Sequence, residues 1–177
     1  MSQALEKFME YQKTLKQYEV AISLLHWDMQ TASPKKGMAA KTDALGYFST
    51  EAFKITTSEE YGDVLKALAQ PEEFKQLDQG MQVTVERYLE DYDRYKRIPQ
   101  EFYTEFITTC AKSSEAWKEA KQTNDFAHFE PLLDKMINMK KQYMQYQEPE
   151  KDPYEFMLDN YEKGMDSATI EKIFAEL

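Results

Sequence analysis

Phe8, Leu15, Ile22 and Met29 recur every seven residues, and Tyr11, Tyr18 and Leu25 recur every seven beside them. Such an a/d seam predicts one long helix over roughly residues 3–30, packed along another helix. The run Ser33-Pro34-Lys35-Lys36-Gly37 breaks it. A second helix follows, with Met38, Leu45, Phe48, Ala52 and Ile55 on its buried face. Ser58 is placed to cap a short third helix, with Glu59 and Glu60 in its first turn. Pro71 suits the first turn of a long fourth helix whose inner stripe is Phe74, Leu77, Met81, Val85, Tyr88, Tyr92 and Tyr95. Pro99 reads the same way for a fifth helix, running to about Asn124 with Phe102, Phe106, Ala111 and Trp117 inward. Pro131 opens a sixth, where Leu132, Met136, Ile137 and Tyr143 keep the period. Asp152-Pro153 reads as an N-cap and a first-turn proline, and Gly164 as a helix terminus. Asp166 or Ser167 caps a last helix, Ile170 to Leu177, with Ile170, Ile173, Phe174 and Leu177 on one face.

Composition supports the same reading. Only 5 glycines and 6 prolines occur in 177 residues, too few for a fold rich in strands and tight turns. Twelve tyrosines, ten phenylalanines and two tryptophans supply bulk for packing between helices. The expected fold is all-α: long antiparallel helices in a bundle-like array, forming a single helical domain over residues 1–177. A formal charge of −10 disfavours phosphate backbones and anionic lipid heads, so nucleic acid and membranes are not expected partners. The lone Cys110 cannot form an internal disulfide. The N-terminus has no uninterrupted apolar stretch for a signal peptide, and no run of 18 apolar residues occurs, so a cytoplasmic protein is expected.

Candidate chemistry is sparse. His26, in Leu25-His26-Trp27-Asp28, has Gln30 at i+4 where a zinc-binding helix would place a second histidine. A hydrogen-bonded histidine at a helix packing edge accounts for it. Asp125 and His128 have the i, i+3 spacing of a di-iron carboxylate–histidine pair, but those bundles need two pairs and further glutamates. His128-x-Glu130 has no Pro-Cys-x-x-Cys partner of a zinc deaminase. A loop histidine near a helix start explains the same residues. Cys110 lies in an amphipathic segment with no basic neighbour beside it, which favours packing over nucleophilic use. Glu90-Asp91-Tyr92-Asp93 lacks the glycine and final glutamate of a calcium loop and reads as a solvated face. No catalytic, cofactor-binding or metal-binding residue is assigned from these patterns.

Several stretches together resemble one family. Leu24-Leu25-His26-Trp27-Asp28-Met29-Gln30-Thr31, followed by the Pro34 and Gly37 turn, is similar to the N-terminal region of the carboxypeptidase Taq family. Asp91-Tyr92-Asp93-Arg94 through Ile98-Pro99, Ser114-Glu115-Ala116-Trp117, Ala120-Lys121, Asn124-Asp125-Phe126, Phe129-Glu130-Pro131 with Leu133 and Lys135, and Asp152-Pro153-Tyr154 through Asp159, Tyr161, Glu162 and Gly164-Met165 follow in the expected order. The resemblance implies a mostly helical zinc metallocarboxypeptidase with a deep groove and commonly a homodimeric state. Zinc, held by a His-Glu-x-x-His helix and a later glutamate, would activate water. No His-Glu dipeptide occurs in this chain. The expectation is therefore an N-terminal, truncated portion of a longer enzyme that walls the substrate groove, lacks the zinc site and is inactive alone. Its partners would be the remainder of that enzyme and, through it, peptide substrates. Two alternatives stay open: a stand-alone helical binding or dimerisation module built on the Phe8–Met29 seam, and a di-metal bundle resting on Asp125 and His128.

Overall fold

The computed structural model describes residues 2–177, and among them it holds helices and no strand. In chain order these are α1 (Gln3–Thr31), a single 3-10 turn (Lys35–Gly37), α2 (Met38–Thr56), α3 (Glu59–Leu68), α4 (Pro71–Phe74), α5 (Gln79–Tyr95), α6 (Gln100–Thr123), α7 (Phe126–Gln147), α8 (Pro153–Tyr161) and α9 (Ser167–Ala175). The expected all-α array of long antiparallel helices is what forms.

Caps mark most of the boundaries. Oxygens of Ser2, Ser58, Asp78, Asp125, Asp152 and Asp166 each accept a hydrogen bond from a first-turn amide of the following helix. Each satisfies a donor the helix itself leaves unpaired, typically worth about 1 kcal/mol. Asn124 ends α6 in the left-handed conformation, at φ 55°.

Four boundaries differ from the sequence reading. The helix expected to run from Pro71 to Tyr95 is broken: α4 is a single turn, and Asp78 starts α5 by accepting from Met81 N–H at 2.9 Å. Gln82 Nε2 then donates to the carbonyls of Phe74 and Leu77, at 2.9 and 3.1 Å, so the break leaves those acceptors satisfied. Pro131 does not open α7 but lies inside it, because Asp125 has already capped the helix six residues earlier. Asp166 rather than Ser167 caps α9, which begins at Ser167 and not at Ile170. Pro99 sits one step outside α6, at its N-cap.

Register follows from paired side chains. Between α1 and α2, Tyr18 meets Phe48 and Asp28 meets Lys41, so the two run antiparallel. Between α2 and α6, Phe53 stacks on Tyr103 with ring centroids 4.0 Å apart, Thr50 hydrogen bonds Thr104 at 2.7 Å, and Gly46 faces Thr108. Between α6 and α7, Phe102 meets Tyr146 and Phe106 meets Tyr143. The seam of α1 is divided between neighbours: Phe8, fully buried, joins Tyr61, Val64, Leu65, Leu68, Leu77, Val85 and Tyr92 from α3 to α5, while Met29 is buried at the other end. Trp117, expected inward, is 47% exposed, and Ile137, which keeps the period of α7, is 44% exposed. Ser113, Ala116 and Ala120 take the buried face of α6 instead, where small side chains let its neighbours approach.

Candidate functional site

Where α1 crosses α3 and α5, the packing leaves a cleft of about 700 Å³, within the range of small-molecule pockets. Helical periodicity builds it. Gln12 and Leu15 project from one face of α1, Tyr61 from α3, and Tyr88, Asp91, Tyr92 and Tyr95 from successive turns of α5. Tyr61 is held from two sides: Gln12 Nε2 donates to its hydroxyl at 3.3 Å, and Tyr11 meets its ring edge-on at 5.3 Å. Burial pushes the Tyr61 hydroxyl up to about 12, so it stays protonated and able to donate. Burial likewise raises Tyr95, and also Tyr103 and Tyr143 outside the cleft lining.

Asp91 is the carboxylate of this wall. Burial raises it above the usual range, and the nearby Arg94 charge opposes that shift. The acidic run around it is therefore not the uniform solvated face expected. Glu90 pairs with Arg94 at 2.7 Å and Lys163 at 2.6 Å, and Asp93 pairs with Lys96 at 2.5 Å, while Asp91 lines the cleft. The period of Tyr88, Tyr92 and Tyr95 predicts a core stripe, whereas these tyrosines also line the cleft. One signal was available in the sequence: Asp91 sits between Tyr88 and Tyr95, at i−3 and i+4, on what is otherwise an apolar face.

The other candidates fall elsewhere. His26 is exposed, with no side-chain hydrogen bond among the described residues, unlike the bonded histidine expected. It lines a second, smaller cavity of about 140 Å³ together with Met29, Cys110 and Glu115. His26 and Cys110 thus share a cavity, but burial raises the Cys110 thiol, the opposite of nucleophile activation. The Asp125/His128 pair is a helix cap: Asp125 Oδ1 accepts from the backbone N–H of His128 at 3.3 Å. The His128 ring instead points Nε2 toward Glu119 at 3.6 Å, on an exposed surface.

Zinc needs three or four converging His, Cys, Asp or Glu donors. Among the described residues no group of three such side chains is placed to hold a metal, so the residues present do not fit a zinc site. The cleft has binding surface, the half-buried carboxylate of Asp91 and, at its rim, Glu19 with Lys13 and Lys16. It has no nucleophile paired with a base.

Comparison with known proteins places these helices. Residues 7–177 match the family described as Carboxypeptidase Taq (M32) metallopeptidase. The chain is 33% identical over 172 residues to Carboxypeptidase 1 of Bacillus subtilis (strain 168), covering 97% of this chain and 34% of that protein. It is 32% identical over 158 residues to Thermostable carboxypeptidase 1 of Pyrococcus furiosus, covering 89% of this chain and 31% of that one. The crystal structure described as BsuCP superimposes with a TM-score of 0.92 at 31% identity, over 99% of this chain and 35% of that chain. The Pyrococcus furiosus carboxypeptidase structure gives 0.76 at 27% identity, over 99% and 35%. The chain spans about a third of the length of the curated relatives it matches. It belongs to the carboxypeptidase Taq (M32) metallopeptidase family, as an all-helical N-terminal portion of that fold.

Proposed function

We propose that this chain is the N-terminal helical region of a zinc-dependent metallocarboxypeptidase that releases C-terminal amino acids from peptides. In this reading α1 to α9 wall the substrate groove, the zinc ligands and general base belong to the remaining two thirds, and this chain alone is inactive. The observation that supports it is the TM-score of 0.92 over nearly the whole chain, with only about a third of the relative covered. A cytoplasmic location is part of this proposal, since the unpaired Cys110 would stay reduced there. The test is direct. The purified 177-residue chain is incubated with zinc and a short peptide, and free C-terminal amino acid and bound metal are measured. No release and no stoichiometric zinc are expected; metal-dependent trimming by this chain would overturn the assignment.

A second reading, a helical dimerisation module, is favoured by one feature. Val20, Leu24 and Trp27 are 49%, 64% and 72% exposed at i, i+4 and i+7 on α1. Such a stripe could seat a second copy, and the homodimer is proposed on that face. Light scattering decides it, a dimer dispersed by Leu24→Ser supporting the module and a stable monomer opposing it.

A further inference from the structure

We propose that the cleft between α1 and α5 is a binding site for an organic ammonium ion, with Asp91 as its counter-charge and the surrounding tyrosines as its walls. Three observations carry this. The cleft is large enough for a small ligand, and most of its lining surface is carbon. Tyr61, Tyr88, Tyr92 and Tyr95 line one space together, and aromatic rings attract ammonium ions by cation–π interaction. Asp91 is half-buried there and enters no hydrogen bond or ion pair among the described residues.

The neighbouring cations lower its pKa from a distance, but none pairs with it: Arg87, one turn earlier on α5, and Lys13, on the cleft wall, enter no ion pair among the described residues. Arg94 is committed to Glu90 at 2.7 Å and Asp159 at 3.4 Å, and Lys163 to Glu90 at 2.6 Å. At the rim, Lys16 is paired with Glu19 at 2.9 Å. A half-buried carboxylate that no cation of the chain reaches within ion-pair distance is stabilised by a cation that brings its own apolar surface. An ammonium group on a short alkyl stem meets both needs; a hydrated metal ion meets only the charge. Rings in this region already accept such groups, since Lys96 Nζ lies 4.8 Å from the Tyr92 ring centroid.

The experiment titrates the 177-residue chain, with tyrosine rings ¹³C-labelled, against choline and against its uncharged isostere 3,3-dimethylbutan-1-ol. Choline should bind roughly ten-fold or more tightly than the alcohol and shift the Tyr61, Tyr88 and Tyr95 ring signals. Asp91→Asn should bring the two affinities to near parity. Equal affinities for the two ligands, shifts confined to tyrosines outside the cleft, or an undiminished preference in Asp91→Asn would each overturn the proposal. The comparison of isosteres uses the unaltered chain, so it decides the matter even if the variant fails to fold. The cleft lies within this chain, and a negative result leaves the carboxypeptidase reading intact.

Discussion

The ring of Tyr92 lies directly over Gly62: a Cβ built on Gly62 would meet Tyr92 Cζ at 2.1 Å and its hydroxyl oxygen at 2.4 Å. No L side chain fits there without moving α5 off α3. Gly62→Ala should therefore destabilise the fold by about 1–3 kcal/mol, the usual cost of overpacking a core. Gly46→Ala is the milder comparison, because the nearest atom is the Thr108 methyl at 2.8 Å, on a side chain that can rotate. Urea denaturation of both variants should rank them in that order. The double variant Gly62→Ala/Tyr92→Leu should recover part of the loss, as coupled neighbours do.

Arg94 ties the C-terminal helices to α5. Its side chain is only 14% exposed, and it reaches Glu90, Asp159 and Glu148 while its guanidinium stacks 5.2 Å from the Phe156 ring centroid. Asp159 in turn accepts the N–H of Gly164, whose φ of +84° favours a residue without Cβ. Arg94→Met keeps the apolar stem and removes the charge, leaving three carboxylates facing one another. A loss of about 1–3 kcal/mol is expected, discounted from the fully buried case because the partners are partly solvated. Hydrogen exchange should show α8 and the turn after it losing protection first, ahead of α1 and α2.

Acid should act on this network and on the cleft in opposite directions. The Lys163 hydrogen bond lowers Glu90, and the Gly164 amide lowers Asp159, from ordinary values of 4.5 and 3.8. Their stabilisation is complete above those values and is lost as pH falls through the lower folded-state pKa values. Asp91 is raised by burial above 3.8, so its folded form binds a proton more readily than its unfolded form. Its stabilising contribution is present below 3.8 and is lost as pH rises through the raised value. Asp91→Asn should thus raise the melting temperature at pH 7, by about 1–2 °C for a chain this size, and bring no gain at pH 3. Calorimetry at the two pH values checks both signs.

The stripe Val20, Leu24 and Trp27 should bind an apolar-surface dye and promote self-association, because large contiguous apolar patches are uncommon on stable monomers. Trp27→Ser with Leu24→Ser should reduce dye fluorescence several-fold without lowering stability by more than roughly 0.5 kcal/mol, since neither side chain is in the core. Dye titration and sedimentation measure the two effects separately.

Local features of this fold were readable in advance, and non-local ones were not. The Phe8–Met29 seam and the caps at Ser58, Asp152 and Asp166 depend on neighbours within a few residues, so their spacing already carries the structure. The break at Asp78 leaves no mark on the pattern, because Phe74, Leu77 and Met81 stay in helical phase across it and Leu77 is buried either way. Tyr88, Tyr92 and Tyr95 show the same period whether they fill a core or line a cleft. Only the crossing of α1 over α5 decides which, and that crossing depends on contacts far apart in sequence. Asp125 and His128 show the reverse case: a spacing that imitates a metal pair serves a helix start.

Pro131 offers the last test, because it sits inside a helix rather than opening one. Its missing N–H leaves the Ala127 carbonyl without the usual i→i−4 partner, and its ring crowds that carbonyl. Both residues are exposed, so water satisfies the acceptor and the cost is smaller than in a buried helix. Against it stands the entropy that proline removes from the unfolded chain, about 0.4–1 kcal/mol. The interior penalty for proline, about 3 kcal/mol, outweighs that gain even when reduced by solvation. Pro131→Ala should therefore stabilise the chain by about 1 kcal/mol, seen as a higher urea midpoint with unchanged slope. A destabilised variant would mean that the helix bends at this position to seat α7 against α6, and that straightening it breaks the Phe106–Tyr143 and Phe102–Tyr146 packing.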